Sequence, residues 1–208
     1  ISLASLQTSS TLRPPRILMH GVHGVGKTTF AAGADAPVVI MTEDGLGMLK
    51  VPHFPLATSY ADVVEALDAL LSEDHPYHTV VIDSVDWLEP LVWAETCRRN
   101  GWASIEAPGF GKGYAEALTV WREYLDRLNT LRDRRGMAVV QIAHTDIKRF
   151  DSPEHEPYDR YVIKLQARAA ALLQEHCDVV LFANYRMSIT KADVGFNKKV
   201  ARALGSGE

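Results

Sequence analysis

Eight consecutive residues constrain this chain more than any others: Gly21, Val22, His23, Gly24, Val25, Gly26, Lys27 and Thr28. A short apolar run, residues 16–20 (RILMH), precedes them, and a helical pattern over 27–34 follows. The glycines let the backbone turn sharply and aim successive N–H groups at one point. A helix N-terminus directly behind them adds positive potential. An ordinary glycine-rich turn is the competing reading, and the flanking strand and helix weigh against it. In a phosphate cradle of this pattern, the backbone from Gly21 to Gly26 wraps the phosphate oxygens. Lys27 reaches the β and γ phosphates, Thr28 ligates Mg2+, and Thr29 bonds the α phosphate. The expected ligands are ATP and Mg2+.

The rest of the chain repeats the alternation begun there. Continuous apolar runs at 38–42, 78–83, 137–143 and 179–185 read as buried strands. Helical spacing appears at 60–74, 85–99, 114–135 and 164–176, the first with Val63, Val64, Leu67, Leu70 and Leu71 on one face. Fully apolar strands alternating with helices predict an α/β fold, a mainly parallel sheet covered on both faces. Residues 186–204 predict a C-terminal β-hairpin turning around 192–195. Residues 100–113 and 146–163 are rich in glycine, proline and charge, and predict two long loops. The expected organisation is a flexible lead-in over 1–15, one ATPase domain over 16–204, and a truncated tail over 205–208.

Composition excludes several classes. The formal charge of −4 argues against binding nucleic acid through bulk charge, so any such surface must be local. Two cysteines, Cys97 and Cys177, exclude a disulfide scaffold or a four-cysteine zinc site. No apolar run is long enough for a membrane span. A cytoplasmic protein is expected, with no membrane partner.

Polar residues at the strand ends complete the predicted site, because open α/β sheets bind ligands at the C-terminal edge. Asp83 ends the third apolar run, where a carboxylate can hold Mg2+, the Walker B role; Asp86 is an acidic alternative. Glu43 and Asp44 follow the second run. A carboxylate there can polarise the attacking water, although Glu43-Asp44-Gly45 is also good turn chemistry. His144 ends the fourth run and can donate to the γ phosphate, with Thr145 as a second candidate. His20 and His23, beside the cradle, read as local structure.

This order of residues resembles the RecA-like ATPase core. The resemblance implies a RecA-like P-loop fold, with Glu43 in "VVIMTEDG" as catalytic base and Asp83 in "VVIDS" as Walker B. It places His144 in "VVQIAHTD" at the γ-phosphate sensor, where a RecA protein carries glutamine. Over about 13–204 the chain is also similar to phage-encoded nucleotide-binding proteins of the Sak-type single-strand annealing and recombination group. That likeness implies an ATPase coupling nucleotide state to single-stranded DNA and to a homo-oligomer. The oligomer would be a ring or filament with nucleotide at the subunit interface.

In a RecA protein the loops after Walker B and after the sensor strand enter the DNA channel, which implies that role for 100–113 and 146–163. Trp102, Phe110 and Lys112, flanked by Arg98 and Arg99, make a stacking-plus-phosphate set in the first. Lys148, Arg149, Phe150, Arg160 and Tyr161 do so in the second, although its charges balance. Arg186, Lys191, Lys198, Lys199 and Arg202 give the C-terminal segment a local positive excess. The family's trans-acting basic residues would lie beyond residue 208. The same cradle also serves small-molecule and nucleotide kinases, GTPases, and modules that use ATP only to assemble; no Asn-Lys-x-Asp guanine-reading motif is present.

Overall fold

A computed structural model describes residues 2–6, 12–154, 156–193 and 199–205, with backbone alone described over 187–193 and 199–205. Leu3–Ser5 forms a short 3-10 turn in the lead-in. The chain then folds as β1 (Arg16–Gly21), α1 (Lys27–Ala32), β2 (Pro37–Met41), α2 (Tyr60–Ser72), β3 (Thr79–Asp83) and α3 (Val85–Asn100). It continues as α4 (Lys112–Arg135), β4 (Ala138–Phe150), β5 (Tyr158–Ile163), α5 (Ala167–His176), β6 (Val179–Ala183), β7 (Met187–Asp193) and β8 (Lys199–Gly205).

The expected α/β fold is present. Five strands pair in parallel in the order β2-β3-β4-β1-β6, and β5 joins β4 to make the sixth. Strand β4 is thereby inserted between the cradle strand β1 and the Asp83 strand β3. The register aligns the strand ends: Gly21 pairs with His144, Asp83 with Ile142, and Met41 with Asp83. The register therefore brings the cradle, Glu43, Ser84 and His144 to one edge of the parallel strands.

The two faces of the sheet are covered unequally. Alternate residues Val38, Ile40, Val80, Ile82 and Val139 join a large core under α2, α3, α4 and α5, which buries Trp121, Tyr124, Leu128 and Leu131 completely. Truncating one of these leucines to alanine costs about 2–5 kcal/mol, because a close-packed core relaxes only partly around the cavity. The intervening residues Val39, Met41, Val81, Val140 and Ile142 form a smaller cluster with Ala31 and Ala32 of α1, Ile17 of β1 and the segment carrying Leu46, Leu49 and Val51. Among the described residues, the helix in this smaller cluster is the short α1.

Helix α2 starts where Ser59 accepts from the Asp62 N–H at 3.2 Å and Asp62 accepts from the Ser59 N–H at 3.0 Å, a reciprocal cap. Helices α3 and α4 run parallel, since Trp93 packs on Tyr114 and Arg99 pairs with Glu123 further along. Residues 101–111, the first expected loop, carry the chain back along α3. Gly113, inside the first turn of α4, lies so close to the Ile105 carbonyl that a Cβ would overlap it.

One expectation needs correction. Residues 146–163 are not a loop: β4 continues to Phe150 and pairs antiparallel with β5, placing Ile147 opposite Tyr161 and Phe150 opposite Tyr158. Cross-strand aromatic and aliphatic pairs hold such a ribbon together although its charges resemble a loop. Arg98 and Arg99, which flank the first expected loop, pair with Glu95 and Glu123 at 2.7 Å. The C-terminal hairpin forms as β7–β8; the tip residues 194–198 and Glu208 lie outside the described residues.

Candidate nucleotide site

The glycine-rich turn between β1 and α1 takes its shape from two left-handed residues, Gly24 at φ 77° and Gly26 at φ 93°. Only glycine enters that region without a steric penalty. Lys27 opens α1 and is buried, its Nζ donating to the carbonyls of Gly21 and Val22 at 3.1 Å each. Burial lowers its pKa, and Asp83, Asp86 and Glu43 oppose that shift.

Thr28, one residue on, donates from Oγ1 to Oδ2 of Asp83 at 2.7 Å. Asp83 is 3% exposed, and its other oxygen, Oδ1, is buried without a hydrogen-bond partner. Burial raises its pKa. An orphaned carboxylate oxygen beside a threonine hydroxyl is a hard oxygen donor set, which fits Mg2+ completed by phosphate oxygens and water. Among the described residues no group of three or more His, Cys, Asp or Glu side chains gathers to hold a metal by itself.

The ends of β2 and β3 are tied together. Thr42 donates through its N–H to the Asp83 carbonyl at 2.8 Å and through its hydroxyl to the Ser84 carbonyl at 2.6 Å. The Asp83–Ser84 peptide is cis. Glu43 follows directly, half-buried, and burial raises its pKa.

His144, at the end of the buried part of β4, reaches the same place. Its Nδ1 lies 2.9 Å from Asp86 Oδ2, its backbone N–H donates to Asp86 Oδ1 at 2.9 Å, and its Nε2 stands 4.0 Å from Glu43 Oε1. The hydrogen bond to Asp86 is the main cause of a raised histidine pKa. For Asp86, burial pushes upward, but the bonds from His144 prevail and hold it below the ordinary value. The His23 ring stacks at 6.1 Å from that of His144.

His23, Lys27, Thr28, Glu43, Asp83 and His144 line one open cleft of about 730 Å³, together with Gly24, Gly26, Thr29, Asp44 and Thr145. Every expected strand-end residue therefore converges on the cradle. Asp86, expected as an acidic alternative to Asp83, hydrogen-bonds His144 through both of its oxygens. The sequence reading missed Trp87, Leu46, Leu49 and Lys164 on the cleft wall. The spacing of Asp83 to Asp86 held a signal, since three residues carry the chain from the strand end into the first turn of α3. His20 is structural: its Nδ1 meets Thr145 Oγ1 at 2.9 Å and its ring packs on Phe182.

A phosphate cradle, a buried carboxylate at the end of the third strand, and a strand inserted between them define the site. A family model described as an AAA domain matches residues 13–205. The chain belongs to the AAA domain family. An AAA domain is a nucleotide-binding, P-loop ATPase-like unit, in keeping with the six-stranded, mostly parallel sheet. No curated protein matches the chain. Among the described residues, no helix of this AAA domain is long and apolar enough to cross a membrane.

Proposed function

We propose that this AAA domain hydrolyses ATP with Mg2+, and that its nucleotide state governs self-association and binding to single-stranded DNA in recombination of the phage annealing type. The convergence of Lys27, the Thr28–Asp83 pair, Glu43 and His144 on one cleft carries the hydrolytic part. Backbone N–H groups of the cradle and Lys27 hold the β and γ phosphates. Thr28 and Asp83 supply the oxygens for Mg2+, which when bound offsets phosphate charge. Glu43 orients a water and accepts its proton; a carboxylate whose pKa burial has raised is a stronger base than an exposed one. His144 donates from Nε2 to the γ phosphate.

The β4–β5 ribbon supports the DNA part. Lys148 and Arg160 sit directly opposite each other, and like charges in such a pair repel. Among the described residues neither makes an ion pair. Phe150 and Tyr158 form the next pair on that face, with the Arg160 guanidinium 3.9 Å from the Phe150 ring centre. Paired cations beside the exposed Tyr158 ring suit a backbone phosphate and a stacked base. The ribbon grows out of His144 and Thr145 without a break, so a γ-phosphate contact and a polynucleotide contact share one strand.

The test is ATP turnover and sedimentation with and without single-stranded DNA, at increasing salt. Turnover that responds to DNA, assembly that needs ATP, and binding that weakens with a log–log slope of roughly −0.7 per phosphate contact are expected. Lys148→Glu with Arg160→Glu is expected to abolish DNA binding. A flat salt response, or DNA binding untouched by the double substitution, contradicts the DNA part.

A further inference from the structure

We infer that Asp86 acts as a positioning residue that makes His144 a cationic hydrogen-bond donor to the γ phosphate, supplied within the same chain. The inference rests on the reading of His144 as the γ-phosphate contact.

Asp86 turns both of its oxygens to His144. Oδ1 takes the His144 backbone N–H and Oδ2 faces Nδ1, each at 2.9 Å, and the side chain is 3% exposed. A carboxylate only accepts, so Nδ1 carries the hydrogen. The consequence falls on the other nitrogen. A neutral ring protonated at Nδ1 has a bare lone pair at Nε2, and Nε2 is the atom aimed at Glu43 and the cleft. A phosphate oxygen also offers only lone pairs. A neutral His144 in this clamp therefore repels the γ phosphate, whereas a doubly protonated ring donates to it and adds a full charge. A glutamine at this position could donate but would bring no charge. The Asp86–His144 pair thus places in cis the kind of positive charge that an arginine finger brings to a transferring phosphoryl group.

The surroundings agree. Facing the ring are Asp86 from α3, Glu43 after β2, Asp83 at the end of β3, Lys27 from α1 and the His23 ring from the cradle, while Lys164 lines the same cleft. Three carboxyl groups favour the cation and Lys27 opposes it. The raised histidine pKa has the same sign. For a group whose folded pKa is raised, the cation persists below the folded midpoint and disappears as pH rises through it. Hydrolysis should therefore have an alkaline limb that belongs to His144.

The experiment pairs NMR titration of the His144 ring in the full chain, without nucleotide, with the pH profile of kcat and KM for ATP. In the wild type the ring titrates above the ordinary histidine value of about 6.5, with Nδ1 protonated, and the alkaline limb of kcat follows it. In Asp86→Asn both move together to lower pH. Above the new midpoint kcat falls at least about tenfold with KM little changed, as for carboxylates that orient functional histidines elsewhere. Adding Asp86→Asn to His144→Gln causes no further loss. The inference is overturned if Asp86→Asn leaves the limb where it was, or lowers kcat equally at every pH. A wild-type ring that titrates at or below the ordinary value overturns it too, and that arm needs no variant to fold. A His144→Gln protein with wild-type kcat and limb instead sinks the γ-phosphate role of His144 itself, a separate failure.

Discussion

The hydroxyl of Thr28 donates to Oδ2 of Asp83 across 2.7 Å, joining the first turn of α1 to the end of β3 and leaving Oδ1 buried and unpaired. Both residues sit where a divalent cation would meet the phosphates, and the cost of the orphaned oxygen falls on the protein without its ligand. Because burial raises the Asp83 pKa, the charged carboxylate is destabilising in the fold, and stability is lost as pH rises through its folded midpoint.

Asp83→Asn should therefore separate stability from function. It keeps an acceptor for Thr28 and removes the buried charge. Without nucleotide, its melting temperature near pH 7 is expected to equal or exceed that of the wild type in a thermal shift assay. The Mg2+ concentration needed for turnover should rise about 10- to 100-fold. A variant that melts lower and responds normally to Mg2+ would make Asp83 a structural residue.

Much of this site was legible in the order of residues along the chain. Strands buried on both faces leave unbroken apolar runs, and the first polar residue after each run marks the sheet edge where ligands bind. Glu43, Asp83 and His144 were found that way. The pairing of Asp86 with His144 is not legible there, because the partner lies 58 residues away and only the insertion of β4 beside β3 brings them together. The β4–β5 ribbon was missed for a related reason. It is exposed on both faces, so Asp146, Lys148, Arg149 and Asp159 erase the apolar signal that identifies a buried strand, and cross-strand partners such as Ile147 and Tyr161 become visible only once paired. The uneven covering of the sheet was equally hidden, since periodicity reports a buried face but not which neighbour buries it.

Gly113 offers a test of the path between α3 and α4. A methyl group there would collide with the Ile105 carbonyl, which is backbone and has little freedom to move. Gly113→Ala is expected to lose about 1–3 kcal/mol in chemical denaturation, the usual cost of overpacking. Gly109→Ala, in open space but at φ 71°, should lose less. Equal losses would contradict the close approach.

Acid should loosen the junction between α5 and β6. Burial holds His176 down at about 4, and hydrogen bonds from Arg16 hold Asp178 at about 2. Both folded values lie below the unfolded ones. Their contributions are therefore present above the unfolded values and lost as pH falls, first through the window between about 6.5 and 4 for His176 and then between 3.8 and about 2 for Asp178. Urea midpoints measured from pH 7 to pH 3 should decline in that order, and His176→Gln should flatten the first part. A midpoint that rises on acidification through the first window would reverse the sign.

Glu43 decides the account most directly. Its carboxylate stands in the cleft at the end of β2, 4.0 Å from His144, with the cradle opposite. The measurement is single-turnover ATP hydrolysis by Glu43→Gln beside the wild type, with ATP affinity determined on the same samples. The account predicts affinity preserved and hydrolysis reduced about 10²- to 10⁴-fold, the contribution of a positioned general base. Equal hydrolysis by the two proteins would contradict it.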